Sequence, residues 1–250
     1  MTKVLIPVKE VGRAKARLAP VLTTAQRRAL ATAMLEDVLD VARATPGHAG
    51  IVLVTSDPEA TAIGRRLGAE VIAEEGQRSE SASVDYAAAL LEQQGVGAIL
   101  VIPGDAPLVS VGELSALLGA AGPPPCIVLA PSRDGLGSNG ILKAPPLVIP
   151  SRFGNDSRRL HLAEAAARGV PATVLDLPGL ALDIDGPEDL AQLLARGCTG
   201  RTAEALASLE LPERAGGKRP LTTEHTENTE RGKERVLAGG EGGSFGCLQE

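Results

Sequence analysis

The stretch Ala98-Ile-Leu-Val-Ile-Pro-Gly-Asp-Ala-Pro-Leu-Val109 decides the fold of this chain. Its first five residues are apolar and too few for a free-standing helix, which predicts a strand buried on both faces inside a parallel sheet. The strand ends at Pro103-Gly104, and Asp105 follows at the edge where open α/β sheets bind ligands. A carboxylate there suits a hard cation such as Mg²⁺. The alternative is that Asp105 only caps a helix that begins near Ser110.

The segments around this stretch predict alternating strands and helices. Short apolar runs at 3–8, 51–54 and 68–73 indicate strands, and helical spacing over 23–44 and 59–67 indicates the helices between them. This order is typical of βαβ units, so we expect an α/β fold with a mostly parallel central sheet flanked by helices. Further strands are predicted at 126–130, 141–143 and 172–177, and further helices at 86–94, 111–120 and from about 160 to 168.

Length and composition predict one domain and a tail. The 250 residues are 44% apolar, enough for one sizeable core. From residue 215 the composition changes to glycine-rich and Thr-Glu-rich segments without an apolar face. We therefore predict a domain over 1–214 and a disordered tail over 215–250 with no catalytic role.

Composition also argues against several classes of function. With one Tyr, two Phe, no Trp and a net charge of −6, the chain lacks a stacking platform and a basic surface for nucleic acid. Its three cysteines are widely spaced, which disfavours a disulfide framework or a zinc site. Because no apolar run approaches the ~20 residues of a membrane span, a cytoplasmic protein without a membrane segment is expected.

A basic loop follows the first predicted strand. Lys9, Arg13, Lys15 and Arg17 cluster around Gly12. A glycine there lets backbone N–H groups approach an anion closely while the cations neutralise its charge. The loop matches neither the Walker A motif nor the GxGxxG motif, and a solvated basic turn is the alternative.

Two further segments are rich in hydrogen-bonding groups. In the polar segment 74–85, Ser79, Ser81 and Ser83 are either capping and turn residues or contacts to a base or ribose. Residues 131–140 combine three glycines with five hydrogen-bonding side chains, which favours a ligand-facing loop.

A predicted helix amino end near residue 157 offers a phosphate site. Gly154 and Ser157 can present N–H and hydroxyl donors there, helped by the helix dipole and by Arg158 or Arg159. A plain N-cap by Asp156 or Ser157 is the alternative.

Asp183 and Asp185 form a late carboxylate pair. In an extended segment they point to one face while Leu182 and Ile184 point to the other. Together with Asp105 and the basic loop, the pair indicates a magnesium-dependent site for two phosphate-bearing ligands.

Several motifs resemble the CofC/FbiD family of guanylyltransferases of coenzyme F(420) biosynthesis. They are the Ile-Pro-Val-Lys-x-x-Gly-Arg-Ala-Lys-x-Arg-Leu-Ala-Pro pattern ending at Pro20, Gly104-Asp-Ala-Pro-Leu, Asp134-Gly-x-Gly-Ser-Asn139, Phe153-Gly-x-x-Ser157 and Leu182-Asp-Ile-Asp-Gly-Pro-Glu-Asp-Leu190. The resemblance covers about residues 1–196 and implies a Rossmann-like, MobA-type nucleotidyltransferase fold. It also implies transfer of GMP from GTP to a phosphorylated three-carbon acid with release of pyrophosphate. A homodimer is a further expectation of the family.

The resemblance also assigns roles to residues. It implies Mg²⁺ on Asp105 and on the late pair, with Asp185 preferred and Asp183 assisting. Ser81 and Ser83 lie where other members carry Gly-Leu-Asn-Ala in the nucleotide site. From their charges we also expect Lys15 and Arg17 to stabilise the departing pyrophosphate. The GTP phosphate loop corresponds to Lys9, Gly12, Arg13, Lys15 and Arg17, and the acceptor-phosphate positions are Ser138, Gly154 and Ser157.

The choice of substrates stays open at this point. Phosphoenolpyruvate is the preferred acceptor, and 2-phospho-L-lactate and 3-phospho-D-glycerate are the alternatives. Cytidylyl transfer to a molybdopterin cofactor is a neighbouring enzyme activity, and a non-catalytic nucleotide-binding regulator is a hypothesis from another class.

Overall fold

The computed structural model describes residues 1–11, 15–76 and 78–209, so the tail predicted over 215–250 lies outside the described residues. The strands are β1 (Thr2–Pro7), β2 (Ile51–Thr55), β3 (Glu70–Ala73), β4 (Ala98–Val101), β5 (Cys126–Pro131), β6 (Ser138–Ala144) and β7 (Ala172–Val174). The helices are α1 (Thr24–Ala44), α2 (Pro58–Arg66), α3 (Glu80–Gln93), α4 (Val111–Gly119), α5 (Ser157–Ala167), α6 (Pro187–Arg196) and α7 (Gly200–Ala207), with a short 3₁₀ helix at Ala16–Leu18.

The described strands form one seven-stranded sheet in the order β3-β2-β1-β4-β6-β5-β7. β3, β2, β1 and β4 run parallel, and β6 runs antiparallel to both β4 and β5. The predicted α/β fold with a mostly parallel sheet is therefore confirmed. Because β6 is reversed, its first residue, Ser138, lies at the same sheet edge as the carboxyl ends of β1 to β4.

The predicted central strand β4 is buried on both faces. Leu100 packs in one core cluster with residues of α1, α2 and α4, and Ile99 and Val101 pack in another with residues of α3 and α5. The sheet thus lies between two helical layers, as the uninterrupted apolar run predicts. A third cluster joins Leu18, α1, α6 and α7 to Leu182 and Ile184.

The helix that follows Asp105 begins with its own cap. Ser110 accepts from the N–H of Glu113, and the Glu113 carboxylate accepts from the N–H of Ser110, which is a capping box. The alternative that Asp105 caps this helix is therefore wrong. Thr23 and Gln26 form the same arrangement at α1, where the sequence predicted the helix start.

Several predicted boundaries are wrong. α3 begins at Glu80 rather than at residue 86, and β6 begins at Ser138 rather than at residue 141. β7 ends at Val174 instead of residue 177, and α7 was not predicted. Among the described residues, no helix is both long and apolar enough to cross a membrane.

Candidate active site

A cleft of about 400 Å³ lies along the sheet edge where β1 to β4 end and β6 begins. Ser56 and Glu74, which follow β2 and β3, line one part of it. Asp105, which follows β4, lies further along, and Ser138 and Phe153 line the other end. The cleft follows the strand order, so a ligand lying in it can contact residues from five neighbouring strands. This is the position expected for a ligand site in an open α/β sheet.

Two segments that are distant in sequence bring the three aspartates to this cleft. The backbone N–H of Ile184 donates to the carbonyl oxygen of Asp105 over 3.1 Å. Leu182 and Ile184 are buried in the third core cluster, whereas Asp183 and Asp185 line the cleft. The alternation predicted from the sequence places both carboxylates on the ligand side.

Lys15 lies between two of these carboxylates. Its ammonium donates to a carboxylate oxygen of Asp105 and, over 3.0 Å, to Oδ1 of Asp185. The Lys15 side chain is only 6% exposed, and its backbone has a φ of 60°, in the left-handed region. The structure therefore joins Lys15, Asp105 and Asp185, which the sequence analysis had assigned to phosphate and metal binding separately.

Burial and neighbouring charges shift the pKa values of Lys15, Asp183 and Asp185. Burial favours the neutral amine of Lys15, but Asp105 and Asp185 outweigh that effect and raise the pKa of Lys15. Burial alone would raise the pKa of Asp185, whereas the charge and hydrogen bond of Lys15 lower it overall. Burial, followed by the charge of Asp105, raises the pKa of Asp183. The positive charge of Lys15 thus favours the ionised form of Asp185.

The rest of the predicted basic loop is less enclosed. Lys9 lines the cleft with a side chain that is 61% exposed and lies 3.9 Å from a carboxylate oxygen of Glu80. Arg17 is exposed on the 3₁₀ helix, and its charge also lowers the pKa of Asp185. Gly12 and Arg13 lie outside the described residues. Before these residues, the backbone N–H of Val11 donates to the Asp57 carboxylate over 2.5 Å.

Ser81 and Ser83 lie on the first turns of α3 rather than in a loop, because Ser79 caps the helix. Ser81 Oγ accepts from the N–H of Phe153 over 2.8 Å, and the Ser83 hydroxyl donates to Glu74 over 2.8 Å. Their hydroxyls thus join parts of the cleft wall to one another. Their predicted contact with the nucleotide stays a prediction.

The sequence analysis missed Glu80 as a cleft residue. Glu80 lines the cleft in the first turn of α3. Burial raises its pKa, and the charges of the three aspartates act in the same direction. The site therefore holds a fourth carboxyl group, Glu80, whose surroundings favour its neutral form.

Of the three predicted acceptor-phosphate residues, Ser138 lines the other end of the cleft, and Ser157 contacts it. Ser157 Oγ accepts from the backbone N–H of Ser138 over 2.8 Å, so β6 and the start of α5 are joined directly. Both serines are at least 93% buried, with exposures of 7% and 2%. Gly154 has a φ of 116°, a conformation that favours glycine, in the turn before α5.

The adjacent Asn139, which lies in the segment predicted to face a ligand but was given no role of its own, also lines the cleft. Its amide donates to Oδ1 of Asp183 over 2.9 Å and to the carbonyl oxygens of Leu180 and Ala181 over 3.1 Å. It thereby orients the Asp183 carboxylate next to the residues predicted to hold the acceptor.

The carboxylates present here fit a magnesium ion. Asp105 and Asp185 lie on two sides of a buried positive charge, and Asp183 adds a third carboxylate nearby. Within residues 1–11, 15–76 and 78–209, no three His, Cys, Asp or Glu side chains converge on one point. Mg²⁺ suits such a site, because it is usually held by one or two carboxylates together with phosphate and water oxygens.

Comparison with known proteins gives a consistent result. The family described as "Guanylyl transferase CofC like" matches residues 2–217. A phosphoenolpyruvate guanylyltransferase of Rubrobacter xylanophilus is 38% identical over 193 residues, covering 77% of this chain and 93% of the relative. A 3-phospho-D-glycerate guanylyltransferase of Colwellia psychrerythraea is 35% identical (78% and 91% covered), and a 2-phospho-L-lactate guanylyltransferase of Methanothermobacter thermautotrophicus is 32% identical (83% and 91% covered).

Solved structures show the same fold at lower sequence identity. A crystal structure assigned as a nucleotide-diphospho-sugar transferase from Desulfovibrio desulfuricans G20 has a TM-score of 0.64 and 16% identity, covering 82% of this chain and 94% of that one. At this identity the likeness concerns the fold alone.

Proposed function

This chain belongs to the CofC-like guanylyl transferase family and is a nucleotidyltransferase, and we propose that it transfers GMP from GTP to phosphoenolpyruvate in coenzyme F(420) biosynthesis. A phosphate oxygen of phosphoenolpyruvate attacks the α-phosphorus of GTP. The bond from that phosphorus to the bridging oxygen breaks, and pyrophosphate leaves. The products are enolpyruvyl-diphospho-guanosine and pyrophosphate.

The observation that carries this proposal is the buried ammonium of Lys15 between Asp105 and Asp185. A phosphate monoester has a second pKa near ~6, so the acceptor is already an oxyanion at neutral pH and needs no general base. The barrier to overcome is repulsion between this oxyanion and the triphosphate. A site with fixed positive charge beside the reacting groups lowers that repulsion without reorganisation.

The cations of the basic loop act on the leaving group. Lys15 and Arg17 stabilise the charge that develops on the departing pyrophosphate, and Lys9 adds positive charge at the mouth of the cleft. Lys15 remains protonated at neutral pH because two carboxylates raise its pKa. The predicted contributions of Gly12 and Arg13 complete this phosphate loop.

Asp105 and Asp185, with Asp183 assisting, would hold Mg²⁺. When bound, the ion supplies a Lewis acid that neutralises phosphate charge. Asn139 keeps the Asp183 carboxylate in place by its 2.9 Å hydrogen bond. We expect Ser138, which lines the cleft, to orient the acceptor's phosphate together with Gly154 and with Ser157, which Ser138 contacts directly.

The names of the relatives support phosphoenolpyruvate as the acceptor. Relatives named for phosphoenolpyruvate reach 38% identity, compared with 35% for 3-phospho-D-glycerate and 32% for 2-phospho-L-lactate. All three acids share a phosphate monoester and a carboxylate, so the same phosphate contacts serve each of them.

A competition experiment tests the choice of acceptor. The purified protein is incubated with GTP, Mg²⁺ and equal concentrations of the three acids, and the guanylylated products are identified by mass spectrometry. Enolpyruvyl-diphospho-guanosine should predominate. Predominance of either other product would assign a different acceptor, and a cytidylylated product in a parallel reaction with CTP would favour the other nucleotide.

A further inference from the structure

A buried histidine, His161 on α5, contacts Ser138, one of the residues predicted to bind the acceptor's phosphate. Its exposure is 0%. Nδ1 lies 3.1 Å from Ser138 Oγ, and Nε2 accepts from the backbone N–H of Arg152 over 2.8 Å. The ring also packs edge-on against Phe153, with centroids 5.1 Å apart. His161 is therefore held in a single orientation by contacts on three sides.

The contact with Arg152 determines which ring nitrogen carries the proton. A backbone N–H can only donate, so Nε2 must be unprotonated. Burial, together with the positive charge of Lys143, lowers the pKa of His161 to about 4, and the ring is neutral at pH 7. A neutral imidazole with an unprotonated Nε2 carries its hydrogen on Nδ1. Nδ1 therefore donates to Ser138 Oγ.

This direction leaves the Ser138 hydroxyl as a donor. Its oxygen accepts from His161, and its own hydrogen must bond elsewhere. Ser157 Oγ is in the same situation, because it accepts from the backbone N–H of Ser138. In the described part of the chain, neither hydroxyl has a further hydrogen-bond partner. Since buried polar groups are nearly always paired, two unused donors at one place predict a ligand that supplies acceptors.

We propose that His161 is a positioning residue that makes the Ser138 hydroxyl a hydrogen-bond donor to the acceptor's phosphate. With Ser157, this produces a subsite in which two hydroxyl hydrogens are available to phosphate oxygens. The inference rests on the proposed function, in that the cleft end at Ser138 receives the phosphorylated acid.

The alternative is a purely structural histidine that serves only to accept from Arg152. Two substitutions separate the two roles. In His161→Asn the side-chain amide reaches the Nδ1 position and can still donate to Ser138, whereas the Nε2 acceptor is lost. In His161→Gln the amide reaches the Nε2 position and can still accept from Arg152, whereas the donor to Ser138 is lost.

The binding of phosphoenolpyruvate and of inorganic phosphate is measured by isothermal titration calorimetry for both variants. Loss of a hydrogen bond to a charged group typically weakens binding about tenfold or more. We expect this loss in His161→Gln, with the affinity for GTP unchanged, and binding within about threefold of the wild type in His161→Asn. The reverse order would show that His161 acts only through Arg152.

Ser138→Ala provides the second test. If His161 acts through the Ser138 hydroxyl, then adding His161→Gln to Ser138→Ala should weaken phosphate binding no further. Additive losses would overturn the proposal. Long-range ¹H–¹⁵N NMR of the wild-type protein tests the tautomer without any substitution, and a proton on Nε2 would contradict it.

These measurements are independent of turnover. If the wild type released no pyrophosphate with any acceptor, the proposed function would fail. The comparison of phosphate binding between the two variants would still decide the role of His161.

Discussion

The backbone N–H of Ile184 donates to the backbone carbonyl oxygen of Asp105 over 3.1 Å. This bond joins the segment after β4 to the segment before α6, which are almost 80 residues apart in the sequence. Because Ile184 is fully buried, the Asp183 and Asp185 carboxylates on either side of it point into the cleft beside Asp105. The core packing of Ile184 therefore positions the acidic group of the site.

Replacing Asp105 by Asn should lower turnover by two or more orders of magnitude with little change in the free energy of unfolding. The amide keeps the size of the side chain but removes the charge that Lys15 and a metal ion require. Asp176→Asn, at an exposed position, is the matched control and should leave turnover unchanged. Turnover of Asp105→Asn near the wild-type value would show that Asp105 has no part in the chemistry.

Replacing Lys15 by Met should lower kcat by about a hundredfold or more. The change removes the only buried ammonium that the described residues place between Asp105 and Asp185, and with it the stabilisation of the leaving pyrophosphate. Lys3→Met is the control, because Lys3 pairs with Glu70 away from the cleft. A kcat within threefold of the wild type for Lys15→Met would contradict this role.

The protein should lose stability as the pH falls from about 6.5 towards 4. His161 has a pKa of about 4 in the folded state against 6.5 in a solvated chain, so the unfolded state binds more protons in this range. The loss attributable to His161 reaches roughly 3 kcal/mol at most. The charged groups that act on the ring are Lys143, Asp85, Arg152 and Glu164.

Urea unfolding at several pH values measures this loss. The same series in His161→Asn measures the loss of stability that comes from the carboxylates alone. The difference in the free energy of unfolding between the wild type and His161→Asn should therefore narrow as the pH falls. A constant difference between pH 7 and pH 4.5 would show that His161 does not titrate in this way.

The packing of helix α7 against α1 should be stabilised by Asp37, which caps the first turn of α7. The Asp37 carboxylate accepts from the backbone N–H groups of Arg201 and Thr202, over 3.0 and 2.8 Å, in the first turn of α7. Asp37→Ala should therefore reduce the free energy of unfolding by about 1–2 kcal/mol, as the loss of a helix cap does. Asp40→Ala, which removes an exposed ion pair with Arg43 and a half-buried one with Arg201 but no contact to a helix N–H, should cost less. Equal losses in the two variants would refute the capping role.

The sequence predicted the elements that have strong local patterns. The apolar run at Ala98 and the Thr23 to Gln26 capping box indicate β4 and the start of α1 without reference to other segments. The alternation of Leu182, Asp183, Ile184 and Asp185 predicts which side chains face the ligand. These patterns depend only on backbone periodicity and hydrogen bonding between near neighbours.

Features that depend on long-range contacts could not be predicted. The start of α3 at Glu80 lacks apolar periodicity, because its first turns are Glu, Ser and Ala. The bridging position of Lys15 requires two segments 90 and 170 residues further along the chain. A lone histidine on a helix gives no sign that Ser138 and Arg152 flank it. A homodimer and the roles of Gly12, Arg13 and the tail stay predictions.

The most direct test of the proposed reaction is pyrophosphate release by the purified 250-residue chain with Mg²⁺ and GTP. Release should require a phosphorylated acid as acceptor, should stop when Mg²⁺ is chelated, and should be faster with phosphoenolpyruvate than with 2-phospho-L-lactate or 3-phospho-D-glycerate. No release with any of the three acids and any of the four nucleoside triphosphates would contradict the proposed reaction.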